Sequence, residues 1–188
     1  GDGNILMVGS SGGQFKSAVI RLDESTAAEY VLPFAAGEIA AEKSIQLPDG
    51  KILLVGREQS TGSSSMDRDL YITRINQDGS PDTSFGTDGM TLVPVLSGRN
   101  EWAYDVNLQA DGKILLVGDV ENDSDTDIVV ARLNYDGSPD TSFDGDGAFH
   151  VPDLVQDDET GYAVLALPDG KILIAGGTGT TSGLRKDI

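Results

Sequence analysis

One string of eight residues recurs along this chain and limits its fold more than any other feature. DGKILLVG occupies Asp49–Gly56 and, unchanged, Asp111–Gly118, and close variants begin at Asp2 and at Asp169. Self-similarity at such a spacing is the signature of tandem structural repeats, in which one supersecondary unit is copied along the chain. Because such a unit cannot bury its apolar face alone, each copy must stack on its neighbours.

A second string marks the same unit at a different point. DGSPDTSF is identical at Asp78–Phe85 and at Asp136–Phe143, which sets a repeat of 58 residues. It supplies Gly for a positive φ, Pro for a fixed φ, and Asp, Ser and Thr side chains that hydrogen-bond nearby backbone groups. The string therefore predicts a specific turn at the same point of each unit.

Each unit contains four predicted strands. Trp102–Leu108 alternates apolar and polar residues, and an Asp-Gly turn then leads to the apolar run Ile114–Val117, which is too short for an ordinary helix. Asp127–Leu133 is the third predicted strand, and Gly147–Val151, beyond the DGSPDTSF turn, is the fourth. Because the strands follow one another through short connections, we expect an antiparallel four-stranded sheet.

The apolar inner strands indicate that both faces of each sheet are covered. A stack of similar sheets around an axis provides this cover, and that arrangement is the β-propeller, with one sheet per blade. We predict an all-β fold of tandem four-stranded antiparallel blades of a partial β-propeller; a β-helix is the rival. The predicted units are a partial, divergent first blade, a second blade, a third blade and the start of a fourth, at residues 1–36, 37–98, 99–156 and 157–188.

The length of the chain raises the question of ring closure. The 188 residues hold about three such units, whereas propellers have about four to eight blades. We expect the chain either to be a fragment of a longer propeller or to close a ring with further blades or with a second copy.

The charge of the chain limits its partners. There are 31 acidic and 13 basic side chains, which gives a net charge of −18 at pH 7. Nucleic acid and anionic lipid both require a basic surface, so neither is an expected partner. No apolar run approaches the ~18 residues of a membrane-spanning helix, so membrane insertion is not expected. Cysteine chemistry is excluded because the chain contains no cysteine, and its single histidine, His150, restricts triad chemistry.

An arginine near the end of the third strand recurs in the second and third units, each time with aspartates four and eight residues later. A partly buried guanidinium needs an anionic or carbonyl partner. We predict a structural latch within each blade, in which the arginine pairs with one of its two aspartates, because a ligand site is not expected to recur in every blade. The predicted latch residues are Arg74, Asp78 and Asp82 in one unit and Arg132, Asp136 and Asp140 in the next.

Two aspartate-rich loops make calcium an alternative ligand. Three of these aspartates are spaced like the first ligands of an EF-hand loop, but Ile and Asn replace the Gly and Glu that such a loop requires. The competing interpretation is a solvated acidic surface that maintains solubility and needs no cofactor. The candidate calcium ligands are Asp123, Asp125, Asp127, Asp144 and Asp146.

The order of these motifs resembles the delta-60 repeat family. The resemblance is carried by DGKILLVG, by the strand DIVVARLN at Asp127–Asn134 with its counterpart DLYITRIN at Asp69–Asn76, and by DGSPDTSF. It covers the second and third units well, the fourth through Gly176, and the first only in part. It implies a β-propeller-like tandem array in large secreted or surface-exposed bacterial proteins. The resemblance implies no catalytic assignment.

The sequence therefore predicts the kind of domain but no specific activity. We expect a non-catalytic scaffold or binding domain of adhesion type, extracellular or at the bacterial cell surface, with a protein or glycan partner. One alternative is a propeller that cleaves glycosides with paired carboxylates, as a hydrolase or a lyase, although no pair is singled out by the sequence. Another is a calcium-stabilised adhesin segment. An enzyme should break the repeat symmetry at one pocket with two facing carboxylates, whereas a scaffold should not.

Overall fold

The computed structural model describes residues 5–10, 17–22, 27–31, 38–59, 69–93, 95–96, 99–123, 125–151, 158–179 and 185–187. Side chains are described for residues 41–56, 69–93, 95–96, 99–123, 125–151 and 158–179. All regular secondary structure in these parts of the chain is β. The strands are β1 (Ile5–Ser10), β2 (Ser17–Leu22), β3 (Ala27–Val31), β4 (Glu38–Gln46), β5 (Ile52–Gln59), β6 (Leu70–Ile75), β7 (Met90–Val93), β8 (Glu101–Leu108), β9 (Ile114–Glu121), β10 (Thr126–Leu133), β11 (Ala148–His150), β12 (Asp158–Ala166), β13 (Ile172–Gly179) and β14 (Arg185–Asp187).

The strands form four antiparallel sheets in which neighbours pair in chain order. Blade 1 consists of β1–β3, blade 2 of β4–β7, blade 3 of β8–β11 and blade 4 of β12–β14. The predicted all-β architecture of consecutive antiparallel blades is confirmed, with four strands each in blades 2 and 3. The boundaries that we predicted between the four units fall in the segments that connect the blades, and they stay predictions. No helix capable of crossing a membrane occurs among the described residues.

The Asp-Gly-Lys turn joins the first two strands of blades 2, 3 and 4 in the same way. In blade 3, the Gln109 N–H donates to the Lys113 carbonyl at 2.8 Å, and the Asp111 carboxylate accepts from the Lys113 N–H at 3.1 Å. The middle residue, Gly112, has a φ of +86°, which a side chain would strain. The recurring Asp and Gly are therefore explained by the turn that they build.

A bulge in the first strand explains the glycine that ends the octapeptide. The pairing of β8 with β9 shifts between Ala103 and Asp105, and blades 2 and 4 shift at the equivalent point. A Cβ added to Gly118 would lie 1.6 Å from the Trp102 carbonyl oxygen, so only glycine fits beside the bulged strand.

The two faces of blade 3 pack against different neighbours. We call the face turned toward the next blade in the sequence the leading face, and the opposite one the trailing face. Leading residues Leu53 and Val55 of β5 share one buried cluster with trailing residues Ile114 and Leu116 of β9. Alternate residues of a strand point to opposite faces, so the apolar Ile-Leu-Leu-Val run of the octapeptide serves two contacts at once.

The next contact repeats the same geometry. Leading residues Leu115 and Val117 of β9 pack against trailing residues Val164, Ile172 and Ile174 of blade 4. The core of the molecule is therefore a series of layers between blades rather than a single centre.

Candidate functional site

Among the arginines whose side chains are described, the most deeply buried one lies on the leading face of blade 2. Arg74 has 2% of its surface exposed, and its Nε donates to the Asp82 carboxylate at 2.5 Å. Lys51, from the Asp-Gly-Lys turn, reaches the same carboxylate oxygen at 2.7 Å, and the Ser84 hydroxyl accepts from Arg74 at 3.2 Å. One carboxylate thus receives two cations, which is the compensation that a buried charge requires.

Blade 3 repeats this cluster almost atom for atom. The Arg132 Nε lies 2.6 Å from Asp140, the Lys113 Nζ lies 2.8 Å from it, and the Ser142 hydroxyl accepts from Arg132 at 3.2 Å. Each predicted latch arginine therefore contacts the aspartate eight residues later. The predicted pairing did not include the lysine. Lys51 and Lys113 occupy the same position in their repeats, as the two arginines do, and this recurrence could have indicated a shared role.

The nearer aspartate of each unit has a different role. The Asp78 carboxylate accepts from the Ser80 hydroxyl at 2.6 Å, and Asp136 accepts from Ser138 at 2.6 Å. These side chains shape the turn itself and are exposed.

The two cluster aspartates are strongly acidic. Burial alone would raise the pKa of Asp82, but hydrogen bonds from Lys51, Ser84 and Arg74 outweigh it and hold that pKa well below the ordinary value of 3.8. Hydrogen bonds from Lys113 and Ser142 likewise lower the pKa of Asp140. Both carboxylates are therefore ionised throughout the physiological range and are unsuited to act as general acids.

The arginine of blade 2 also binds blade 3. Its guanidinium carbon lies 4.7 Å from the ring centroid of Phe85 on one side and 4.7 Å from that of Tyr135 on the other. Arg74 also donates to the Tyr135 backbone carbonyl, and the Tyr135 hydroxyl donates to Asp49 at 2.7 Å. The side chain is thus a link between blades as well as a latch within one.

The opposite ends of the strands carry a second group of buried carboxylates. Glu101, at the start of β8, is fully buried, and its Oε1 accepts from the backbone N–H groups of Val95 at 2.9 Å and Leu96 at 2.6 Å. Burial raises the pKa of Glu101 to about 7 against these hydrogen bonds. Its Oε2 is buried with no hydrogen-bond partner among the described groups. Glu159 occupies the equivalent position in blade 4 and is also buried.

Asp119 is a buried carboxylate at a position where blades 2 and 4 hold other residues. It is 5% exposed on β9, where the Thr160 hydroxyl of blade 4 donates to it at 3.0 Å. Burial raises the pKa of Asp119 to about 6, although hydrogen bonds from Thr160 and Tyr104 lower it. The equivalent positions in blades 2 and 4 hold Arg57 and Gly177. Asp119 and Glu101 are therefore the described carboxyl groups best able to carry a proton near neutral pH.

The predicted calcium ligands are dispersed among protein partners. The buried Asp127 contacts the His150 Nε2 at 2.8 Å and the Asn122 amide at 2.5 Å, and Asp125 accepts from the same amide. Asp123 pairs with Arg99. Asp144 adopts a φ of +51° in its turn, and Asp146 accepts from the Ala148 N–H at 2.9 Å. Within the described residues, no three His, Cys, Asp or Glu side chains form a group that could hold a metal ion.

Comparison with known proteins points to the same architecture. A family model described as "Domain of unknown function (DUF5122) beta-propeller" matches residues 47–85 and 109–143, which contain both arginine clusters. A search of curated proteins found no match.

Two solved structures are similar at low identity. A hypothetical protein from Leishmania major is 14% identical with a TM-score of 0.51, and the match covers 97% of this chain but 61% of that one. The endo-arabinase from Bacteroides thetaiotaomicron VPI-5482 is 13% identical with a TM-score of 0.57, covering 100% of this chain and 72% of the arabinase. Likeness at this identity concerns the fold alone. Together with the stacked antiparallel blades and their recurring turns, these matches identify the chain as a β-propeller repeat protein.

Proposed function

We propose that this propeller is a non-catalytic scaffold and binding module for a protein or glycan partner. The observation that carries the proposal is the duplicated cluster, in which Arg74, Asp82 and Lys51 recur as Arg132, Asp140 and Lys113 with the same contacts. Charged clusters that recur with the same contacts in successive blades indicate a structural role, because a reactive site needs one place that differs from the rest.

We further propose that the module belongs to the delta-60 repeat type of secreted or surface-exposed bacterial proteins. The support is the resemblance of DGKILLVG, DIVVARLN and DGSPDTSF to that repeat, in that order. A net charge of −18 favours solubility of a long acidic array outside the cell.

An exposed aromatic side chain supports the glycan arm of the proposal. Tyr162 is 46% exposed, and its ring centroid lies 5.9 Å from that of Tyr104 across the contact between blades 3 and 4. Aromatic faces of this kind stack on sugar rings.

Affinity electrophoresis in gels that contain arabinan, xylan or mannan tests this arm. We expect at least one polysaccharide to retard the chain and Tyr162→Ala to lose that retardation, while Tyr135→Phe, at the other end of the sheets, keeps it. If no polysaccharide retards the chain, the glycan arm is wrong and the partner must be a protein.

Glycoside hydrolysis is the second candidate. It is favoured by Glu101 and Asp119, whose pKa values are raised to about 7 and about 6, and whose carboxylates each keep one buried oxygen without a described partner. The fold is shared with an endo-arabinase. Incubation with arabinan, followed by measurement of reducing sugar, separates the two candidates. The non-catalytic proposal expects none; release that Glu101→Gln and Asp119→Asn each abolish would overturn it.

The calcium-stabilised adhesin stays a prediction with its own test. A scaffold held by ion pairs and apolar layers should melt at the same temperature with and without a chelator. A lower melting temperature in the chelator, restored by added calcium, would instead favour the adhesin.

A further inference from the structure

A groove follows the outer edge of blade 2 where that blade meets blade 3, and we call it the β7 groove. Its volume is about 380 Å³. One wall is formed by Met90–Leu92 of β7 with Thr87 of the preceding turn, and the other by the DGSPDTSF turn of blade 3 at Ser138 and Pro139. Successive side chains of a strand point to opposite faces, so a groove that contacts three consecutive residues of β7 must run along the edge of the strand.

The backbone of β7 offers hydrogen-bonding groups to this groove. The Arg74 N–H donates to the Gly89 carbonyl at 2.9 Å, which fixes where the ladder between β6 and β7 has its bonded pairs. Since bonded pairs alternate along an antiparallel ladder, Met90 and Leu92 turn their N–H and C=O groups away from β6. Thr87 uses both groups of Met90, at 2.7 and 3.0 Å. In the part of the chain that the structure describes, no strand pairs along the far side of β7, so Leu92 presents its N–H and C=O at a free sheet edge.

The residues that line the groove carry no charge, but an exposed carboxylate lies beside each wall. Asp88 follows Thr87 on one side, and Asp136 precedes Gly137 on the other. Hydrogen bonds from Ser138 lower the pKa of Asp136, so this carboxylate is ionised at neutral pH. The two carboxylates, on a chain with a net charge of −18, favour a partner with positive charge.

The lining favours a peptide over a sugar. No aromatic ring on which a sugar could stack is among the residues of the two walls. Met90, Leu92 and Pro139 supply apolar contacts instead. A free strand edge beside apolar side chains is suited to an extended peptide, because main-chain hydrogen bonds give affinity and alternate side chains give specificity.

We propose that the β7 groove binds an extended segment of a partner protein that carries both apolar and basic residues. The segment pairs with Leu92 as an added strand of blade 2, its apolar side chains contact Met90 and Pro139, and its basic side chains lie near Asp88 and Asp136. This inference rests on the binding role proposed above and specifies which element of a protein partner is recognised.

Fluorescence anisotropy with two labelled hexapeptides tests the proposal on the whole chain. We expect the basic peptide Val-Lys-Val-Lys-Val-Lys to bind with an affinity that falls as sodium chloride is added, and the acidic peptide Val-Glu-Val-Glu-Val-Glu not to bind. Asp88→Asn should weaken the binding of the basic peptide by roughly two- to fivefold, which is the effect of one exposed charge.

Asp144→Asn is the matched control for this charge. Asp88 and Asp144 share the left-handed conformation, with φ of +52° and +51°, which asparagine also adopts. No residue next to Asp144 lines the groove, so its substitution should leave peptide binding unchanged.

Two substitutions at one position test the role of the strand edge. Leu92→Pro removes the outward N–H from an edge strand, where proline is tolerated, whereas Leu92→Ala keeps the N–H and shortens the same side chain. Leu92→Pro should weaken binding of the basic peptide roughly three- to tenfold more than Leu92→Ala does. Circular dichroism should show both variants folded.

Several outcomes would overturn the proposal. These are equal binding of the two peptides, equal affinity of the Leu92→Pro and Leu92→Ala variants, or a loss with Asp144→Asn as large as that with Asp88→Asn. If the basic peptide does not bind while a polysaccharide retards the chain, the inference about the groove is wrong and the proposed binding role stands. If neither the basic peptide nor any polysaccharide binds, the binding role loses its support as well.

Discussion

At the scale of single residues, one arginine position is used in two settings. Arg74 and Arg132 have the same partners within their blades, but Arg74 is also covered by the ring of Tyr135 from the next blade. The side chain of Arg74 is 3% exposed and that of Arg132 is 19% exposed. A pairing within the blade could be predicted from the recurring arginine and its two aspartates, but the sequence did not decide between the aspartates four and eight residues later. The ring on the far side could not be predicted, because it lies 61 residues away and is positioned by stacking of the sheets.

This difference predicts unequal costs for the same substitution. Arg74→Met should lower the free energy of unfolding by roughly 2–3 kcal/mol, because it strips a buried carboxylate of one cation and removes the link to Tyr135. Arg132→Met, the matched change in blade 3, should cost less. Urea denaturation of both variants measures the two values. Equal losses would contradict a role for Arg74 between the blades.

At the scale of the elements, the turns carry a second inter-blade contact that local sequence does not reveal. Gly137, in the DGSPDTSF turn of blade 3, has a φ of +87°. A Cβ added there would lie 2.9 Å from the Phe85 ring and 2.9 Å from the Thr91 hydroxyl of blade 2. The turn type could be predicted from Asp-Gly-Ser-Pro, but the neighbouring blade that also requires glycine could not.

Gly137→Ala should therefore be more harmful than an equivalent change in a free turn. Gly170 has a φ of +84°, and an added Cβ there would meet nothing within 4 Å. Gly170→Ala should cost only the strain of a positive φ, about 1 kcal/mol, whereas Gly137→Ala adds a clash with the buried Phe85 and should cost about 2 kcal/mol or more. Thermal denaturation of the two variants compares them directly. A smaller loss for Gly137→Ala would show that blades 2 and 3 do not meet at this turn.

The strands themselves were largely predictable, whereas the buried acids were not. The apolar run Ile114–Val117 indicated a strand covered on both faces, and β9 is one. Glu101 gave no such signal, since a glutamate at the start of an alternating segment usually faces solvent. Its burial follows from the backbone N–H groups of Val95 and Leu96, which need an acceptor where the chain enters blade 3. Asp119 is buried for a similar reason, because blade 4 closes over it.

At the scale of the whole molecule, two sets of carboxylates act on stability in opposite directions as pH changes. Asp82 and Asp140 have lowered pKa values, so the stability that they contribute is present above the ordinary value of 3.8 and is lost as the pH falls below it. Glu101 has a pKa raised from 4.5 to about 7, so its folded form holds a proton that the unfolded chain releases. Its contribution is therefore complete below pH 4.5 and is lost as the pH rises through about 7.

The protein should consequently be most stable in mildly acidic solution and should weaken toward both extremes. Urea denaturation across this range should show a fall in unfolding free energy from about pH 5 to pH 8, to which Asp119, with its pKa raised to about 6, also contributes. Glu101→Gln keeps an acceptor for the Val95 and Leu96 N–H groups but cannot ionise, so its fall should be shallower than that of the parent chain. Glu42→Gln removes one charge from an exposed position on β4 and controls for the general repulsion of an acidic chain. If Glu101→Gln and Glu42→Gln changed the slope equally, the pH dependence would belong to the net charge and not to the buried carboxyl group at the entry to blade 3.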